Sequence, residues 1–184
     1  MTLQRRTRHD GATVASRLAD LEAQASARWT IARCMALCDV PAPHHIQPGE
    51  LEALFAPDAV WESVGADTAH ATIIVRYEGR AAIGRFLRGH PTPSPNLRRK
   101  VHFLAGEAID ATGSAARGQW VLQQIAIHRD GGTELVSARL TVEFIIEDDG
   151  TCLIQCLRSE RLASVPLDTV PAPAPAPDGT EARP

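Results

Sequence analysis

The stretch that decides the fold, residues 51–87, opens with LEALFAPDAVWE (51–62) and closes with YEGRAAIGRFL (77–87). The apolar spacing of the opening predicts a short amphipathic helix. Pro57 ends this helix, because proline lacks the amide hydrogen that a helix interior needs. A brief β run is expected at 59–64, and the chain is then irregular until the second motif.

Two further helices are predicted from apolar residues that recur at three and four positions. One starts at Gly79, and its apolar face comprises Ala82, Ile83, Phe86 and Leu87. The other is long, runs from about Thr13 to Asp39, and ends before Pro41 because the residue ahead of a proline avoids the α region. The expected apolar face of the long helix comprises Val14, Leu18, Leu21, Ala25, Trp29, Ala32 and Met35/Ala36.

Beyond a proline-rich crossover, the apolar period changes to two, which is typical of strands. Four long strands are predicted, at 100–110, 115–128, 134–147 and 151–162. Glycine-containing turns separate them, so consecutive strands should pair antiparallel as a meander. Helices that come first and strands that come later indicate an α+β fold.

The chain has 184 residues, 44% of them hydrophobic, and a formal net charge of −3. These values suit one globular domain and give no electrostatic reason to expect binding to nucleic acid or to an anionic membrane. We expect that domain at 13–163, between a disordered leader (1–12) and a disordered Pro/Ala-rich tail (164–184). No apolar run reaches the roughly 20 residues that span a bilayer. The N-terminus also lacks the apolar block of a signal peptide, so we expect a cytoplasmic protein.

The phrases LFAPDAVW (54–61) and YEGRAAIGRFL (77–87) resemble motifs of the SnoaL-like branch of the nuclear transport factor 2-like superfamily. The order of elements extends this resemblance over roughly residues 15–162. It implies a cone, in which a curved, mixed or antiparallel sheet wraps around the long first helix and leaves one end open. It also implies a pocket for a small hydrophobic ligand, and a homodimer that packs through the outer surface of the sheet. Because the fold hosts dehydratases, isomerases, cyclases, hydrolases and binding modules, it leaves the activity open.

Asp39 and His102 are the candidate catalytic pair. Catalytic members of this family often read R-Y-x-x-A-L-D at the end of the first helix, where residues 33–39 here read RCMALCD. Dehydratases that resemble this family place an inward histidine at the start of the first long strand. The carboxylate would fix the tautomer of the imidazole, and the imidazole would move the proton. The alternatives are a solvated aspartate at a helix end and a histidine hydrogen-bonded to backbone.

The candidate substrate-binding residues of the implied cone are Cys34, Trp61, Phe103, Trp120, Gln124 and His45. Cys34 stands at the family's tyrosine position, where a thiol donates a weaker hydrogen bond than a phenol. The aromatic residues either line the cone or fill its core. Gln124 shares a strand face with Trp120, and His45 lies in a loop that either overhangs the pocket or is solvated.

No metal or cofactor motif is found. The cysteines are spaced as C-x₃-C twice, but Cys152 and Cys156 fall on a predicted strand, where four residues span about 13 Å. That separation is too long for one zinc ion, so we expect buried free thiols.

The leading hypothesis is a cofactor-independent lyase or isomerase of the dehydratase or cyclase type. Its expected substrate is a hydrophobic, polyketide-like or steroid-like molecule. The alternatives are a non-catalytic binding or assembly module of the same fold, and the small subunit of a ring-hydroxylating oxygenase.

Overall fold

The computed structural model describes residues 13–42, 47–65, 72–89 and 96–167. Within them lie three helices and six strands, which are α1 (Val14–Leu37), α2 (Glu50–Ala53), β1 (Phe55–Gly65), β2 (Thr72–Glu78), α3 (Arg80–Gly89), β3 (Leu97–Thr112), β4 (Ala115–His128), β5 (Thr133–Ile146) and β6 (Cys152–Pro166). None of the helices in the described part of the chain is both long and apolar enough to cross a membrane. The expected leader and residues 168–184 of the expected tail lie outside the described residues.

Helix α1 has the predicted bounds but buries the opposite face from the one expected. It begins after Thr13, whose hydroxyl accepts a hydrogen bond from the Ser16 N–H at 3.2 Å. Most of the expected apolar face is exposed, and Trp29 for example is 63% exposed, whereas Met35 at its end is partly buried. The buried face consists of Ala23, Ala27, Thr30, Ile31, Cys34 and Leu37. Small side chains on that face let the helix approach the sheet closely, and the Thr30 hydroxyl donates to the Cys152 carbonyl at 3.2 Å.

The stretch 51–87 forms more strand than its sequence predicts. Helix α2 ends at Ala53, and β1 starts at Phe55, so Pro57 lies inside a strand. The register of β1 against β6 shifts between Phe55 and Val60, and this irregularity accommodates a residue that cannot donate to the ladder. Strand β2, in the segment expected to be irregular, pairs antiparallel with β1.

Gly79 connects β2 to α3 as the sequence suggests. Its φ of 82° lies in the left-handed region, which glycine adopts without strain. Its N–H donates to the Ala59 carbonyl at 2.8 Å, so the turn is fastened to β1. Helix α3 therefore starts beside the sheet and packs its apolar face against β1.

One open sheet of six strands has the order β2-β1-β6-β5-β4-β3. The predicted meander of β3 to β6 is confirmed, because each of these strands pairs antiparallel with the next. Strand β1 runs parallel to β6, which makes the sheet mixed. Strand β6 continues to Pro166, past the domain end expected at 163, and stays paired with β5 to that point.

The sheet has a concave side that holds α1 and a convex side that faces outward. The core between α1 and the concave side contains Phe55, Leu140, Phe144 and Ile154, all of them buried. On the convex side, charged residues of adjacent strands form ion pairs. Arg139 on β5, for example, contacts Glu160 on β6 at 2.8 Å.

Candidate functional site

The segment that follows α1 is hydrogen-bonded to β3. Val40 and Lys100 form an antiparallel bridge, with Val40 N–H donating to the Lys100 carbonyl at 2.8 Å and Lys100 N–H returning a bond at 2.9 Å. Asp39 directly precedes this bridge, and His102 follows Lys100 by two residues on the strand. The bridge therefore places the carboxylate of Asp39 beside His102.

Asp39 and His102 form a hydrogen-bonded pair. Asp39 Oδ1 lies 2.8 Å from His102 Nδ1 and also accepts a hydrogen bond from the His102 backbone N–H at 3.0 Å. The side chains are 22% and 7% exposed, respectively. A carboxylate on Nδ1 selects the tautomer that carries its proton there, which leaves the lone pair on Nε2.

Gln124 contacts the other nitrogen of the imidazole. It stands opposite His102 in the register of β3 and β4, and its side-chain oxygen is placed 3.2 Å from His102 Nε2. The two ends of an amide have the same shape, so with the lone pair on Nε2 the NH₂ group of Gln124 is the end that can donate to it. The three side chains then form one chain of hydrogen bonds from Asp39 to Gln124.

Burial lowers the pKa of His102 below its ordinary value of 6.5, because a partly dehydrated site disfavours the imidazolium. The bond to Asp39 acts in the opposite direction, and the nearby charge of Lys100 lowers the pKa further. The imidazole is therefore neutral at pH 7, which is the protonation state that a general base needs.

His102 faces a cavity of about 220 Å³ between α1, α3 and the concave side of the sheet. Its lining residues are Met35, Cys38, Trp61, Ser63, Phe86, Leu87, Lys100, His102, Leu122, Gln124, Val136, Ala138, Leu140, Leu157, Ser159 and Arg161. Most of them are apolar, and two of the polar residues, Lys100 and Gln124, lie beside the imidazole. An apolar cavity with convergent polar groups is the usual form of a small-molecule site.

Two of the expected substrate-binding residues line this cavity, namely Trp61 and Gln124. Cys34 does not, because it lies one helical turn before Cys38 on the fully buried face of α1. Trp120 is also a core residue, since its ring meets Phe144 edge to face with centroids 6.2 Å apart.

Phe103 does not line the cavity either. It follows His102 on a strand, so it points to the opposite face of the sheet, where it is 50% exposed. His45 lies outside the described residues, and the structure gives no account of it.

The sequence interpretation missed Cys38, Lys100 and Arg161, all of which line the cavity. Two signals could have found Lys100 and Cys38, and none points to Arg161. Lys100 precedes His102 by two residues, so strand periodicity places both side chains on one face. Cys38 follows Cys34 by one helical turn and lies at the C-terminal end of α1, next to Asp39.

The thiols of Cys34 and Cys38 interact. Hydrogen bonding between them raises the pKa of the buried Cys34 and lowers that of Cys38, and the charge of Lys100 lowers the pKa of Cys38 further. Across the described residues, no three His, Cys, Asp or Glu side chains converge in the way that metal ligands would.

The long helix, the open six-stranded mixed sheet and the cavity on its concave side define a nuclear transport factor 2-like cone fold. The sequence matches the SnoaL-like domain family over residues 19–153, so the chain belongs to that family. No curated protein matches it significantly.

Solved structures share the fold. The hexachlorocyclohexane dehydrochlorinase LinA-type3 from Novosphingobium barchaimii LL02 is 16% identical with a TM-score of 0.65, and the match covers 84% of this chain and 97% of that one. A proposed scytalone dehydratase from Novosphingobium aromaticivorans DSM 12444 is 15% identical with a TM-score of 0.62, and the match covers 81% of this chain and 90% of that one. The beta subunit of a proposed aromatic-ring-hydroxylating dioxygenase from the same strain is 12% identical with a TM-score of 0.61. That match covers 77% of this chain and 90% of the other. At these identities the likeness establishes the fold and leaves the activity open.

Proposed function

We propose that the protein is a cofactor-independent lyase or isomerase that removes a proton from a carbon atom of a compact hydrophobic molecule. The observation that carries this proposal is the 2.8 Å contact between Asp39 Oδ1 and His102 Nδ1 beside an apolar cavity. A neutral imidazole oriented by a carboxylate is the arrangement that general-base catalysis requires.

In this mechanism, His102 Nε2 takes the proton from the substrate carbon. The C–H electron pair then either forms a double bond while a leaving group departs from the neighbouring carbon, or moves onto an adjacent carbonyl as an enolate. Asp39 keeps the Nδ1 proton in place and stabilises the imidazolium that forms. Gln124 is hydrogen-bonded to Nε2 before the substrate binds. This hydrogen bond breaks when the substrate binds, so that Nε2 can accept the proton.

The size of the cavity favours a small substrate. About 220 Å³ is below the roughly 300–1,000 Å³ of typical ligand pockets. A molecule with one ring fits this space better than the polyketide-like or steroid-like substrate that the sequence suggests.

A subunit role is the second candidate, since the beta subunit of a proposed ring-hydroxylating dioxygenase has the same fold. Such a subunit needs no proton-transfer pair, whereas here the imidazole and the carboxylate are both partly buried and in contact. Purification from the native host distinguishes the two, because a subunit co-purifies with a larger chain in fixed ratio.

We also propose that two copies pair through the convex side of the sheet. Phe103, Leu162 and Val165 are 50%, 43% and 48% exposed on the described strands β3 and β6. Covering such a surface removes apolar area from water. Phe103→Glu should then convert a dimer into a monomer in analytical ultracentrifugation, and a wild-type protein that sediments as a monomer would contradict the proposal.

The catalytic proposal is tested with a panel of single-ring substrates that carry a chloride or a hydroxyl beside an acidic C–H bond, including hexachlorocyclohexane. Chloride release and loss of water are followed by NMR. We expect turnover of at least one compound and a loss of about 10²-fold or more in His102→Gln. Turnover that survives this substitution, or a panel that binds without reacting, would contradict an acid–base role and favour the binding module.

A further inference from the structure

The charged groups that line the cavity are all basic. Lys100, His102 and Arg161 contribute to its wall, and no acidic side chain does so among the described residues. His102 is kept neutral by burial. The two remaining cations, one on β3 and one on β6, leave the lining of the cavity with a net positive charge.

The carboxylates around the cavity already have partners. Asp39 is engaged by the imidazole. In the adjoining groove, Glu50 pairs with Arg33 and Glu52 pairs with Arg88. The two glutamates are therefore compensated by arginines, whereas Asp39 bonds a neutral imidazole and keeps its negative charge on the Nδ1 side of His102.

Lys100 has no ion-pair partner within the described part of the chain. One acid, Glu134, lies in the same row of the sheet, but it is two strands away and accepts a hydrogen bond from Ser164. Neighbouring strands lie about 4.8 Å apart, so the backbones of Lys100 and Glu134 are separated by roughly 10 Å. The lysine thus presents to the cavity an ammonium that has no ion-pair partner among the described residues.

The position of Lys100 relative to His102 is fixed by the strand. Two residues of a strand span about 7 Å, and both side chains lie on the concave face. The charge of Lys100 reaches the reactive groups, because it lowers the pKa values of both His102 and Cys38. Lys100 also lines both the cavity and the groove beside it, so it lies where a ligand would enter.

The cavity lacks the phenol donor that a tyrosine would provide. The chain has one tyrosine, Tyr77, which stacks on Phe86 with ring centroids 4.2 Å apart and does not line the cavity. Lys100 is therefore the strongest hydrogen-bond donor on the wall that carries the imidazole.

We propose that Lys100 is a specificity-determining residue that binds a carboxylate on the substrate and so holds a neighbouring C–H bond against His102. The substrate class is then a compact, single-ring carboxylic acid. The placement of a C–H bond against His102 rests on the proposed proton-transfer function. The recognition of the carboxylate is independent of turnover.

The test compares two probes of the same shape, benzoate and benzamide, by calorimetry at low ionic strength, where a charge-assisted contact is least screened. The wild-type protein should bind benzoate at least tenfold more tightly than benzamide. Lys100→Met should reduce that ratio to about twofold or less, whereas Lys100→Arg should keep most of it. Arg99→Met is the matched control: it removes the same charge from the adjacent position, which points away from the cavity, and should keep the wild-type ratio.

Thermal unfolding of each variant confirms that the fold is retained, and Lys100→Gln, which also removes the charge, replaces Lys100→Met if that variant does not fold. Equal affinity for the two probes in the wild-type protein, or an unchanged ratio in Lys100→Met, would overturn the inference. If Arg99→Met reduced the ratio of the two affinities as much as Lys100→Met does, the inference would also be overturned. The preference for benzoate would then come from the net charge of the protein and not from contact with Lys100. Because the assay measures binding, its result stands whether or not the protein turns over any compound.

Discussion

Asp39 and His102 are 63 residues apart in the chain, yet the carboxylate oxygen of one lies 2.8 Å from Nδ1 of the other. The bridge between Val40 and Lys100 produces this contact by joining the end of α1 to the start of β3. The pair therefore depends on a backbone junction that is short and well defined. Its properties can be measured without knowledge of the substrate.

Asp39→Asn should lower the pKa of His102 further. The carboxylate raises that pKa through its hydrogen bond and its charge, while burial lowers it, so removing the charge leaves burial less opposed. The change is measured by NMR titration of the imidazole Cε1–H. Asp110→Asn, on the exposed end of the same strand, is the control and should leave the titration unchanged. A His102 pKa that stays the same or rises in Asp39→Asn would show that the two side chains do not interact in solution.

The rate of the proposed reaction should increase with pH and reach half of its plateau value below pH 6.5. The base form of His102 is the neutral one, and its pKa in the folded protein is below 6.5. The profile of kcat/KM against pH measures this directly once a substrate is found. A rate that falls as pH rises through this range would contradict the assignment of His102 as the base.

The stability of the fold should change in the same window. Between the lowered pKa and 6.5, the unfolded state binds more protons at this histidine than the folded state. The contribution of His102 to the free energy of unfolding therefore increases as pH rises through the window and is lost as pH falls. Urea unfolding at several pH values measures the effect. His102→Gln should show a weaker dependence on pH than the wild-type protein.

Gly118→Ala should destabilise the protein by about 1–3 kcal/mol, because a methyl group at this position would overpack the core. The added Cβ would lie 2.0 Å from Trp120 Cη2, and the indole is held by Phe144 and by its bond to Glu107. Urea unfolding measures the change. Adding Trp120→Phe removes the clashing atoms, so the double variant should be more stable than the sum of the single effects implies. Simple additivity would show that the ring does not lie over the glycine.

Two neighbouring residues of α1 should respond in opposite ways to truncation. Ile31→Ala should cost about 2–4 kcal/mol, since Ile31 is fully buried against the sheet. Trp29→Ala should change the stability by no more than about 0.5 kcal/mol, since its indole is largely exposed. Urea unfolding of both variants checks this, and a larger cost for Trp29→Ala would mean that the other face of the helix is the buried one.

The exposed face of α1 shows where sequence interpretation fails. Val14, Leu18 and Leu21 recur at helical spacing, but so do the small residues of the opposite face, such as Ala23 and Ala27. Periodicity identifies a helix without saying which side meets the sheet. The small side chains are buried here because they allow close packing, a property that depends on the partner surface.

The sequence alone determined the α+β class, the bounds of α1, the meander of β3 to β6, and the identity of Asp39 and His102 as candidates. The first three depend on local patterns, that is, on apolar period and turn residues, and the candidate pair follows from the resemblance to family motifs. The tertiary structure decided the parallel pairing of β1 with β6, the buried face of α1, and the presence of Lys100 and Cys38 on the cavity wall. These features depend on which distant segments come together, and the apolar pattern of one segment does not specify its partner.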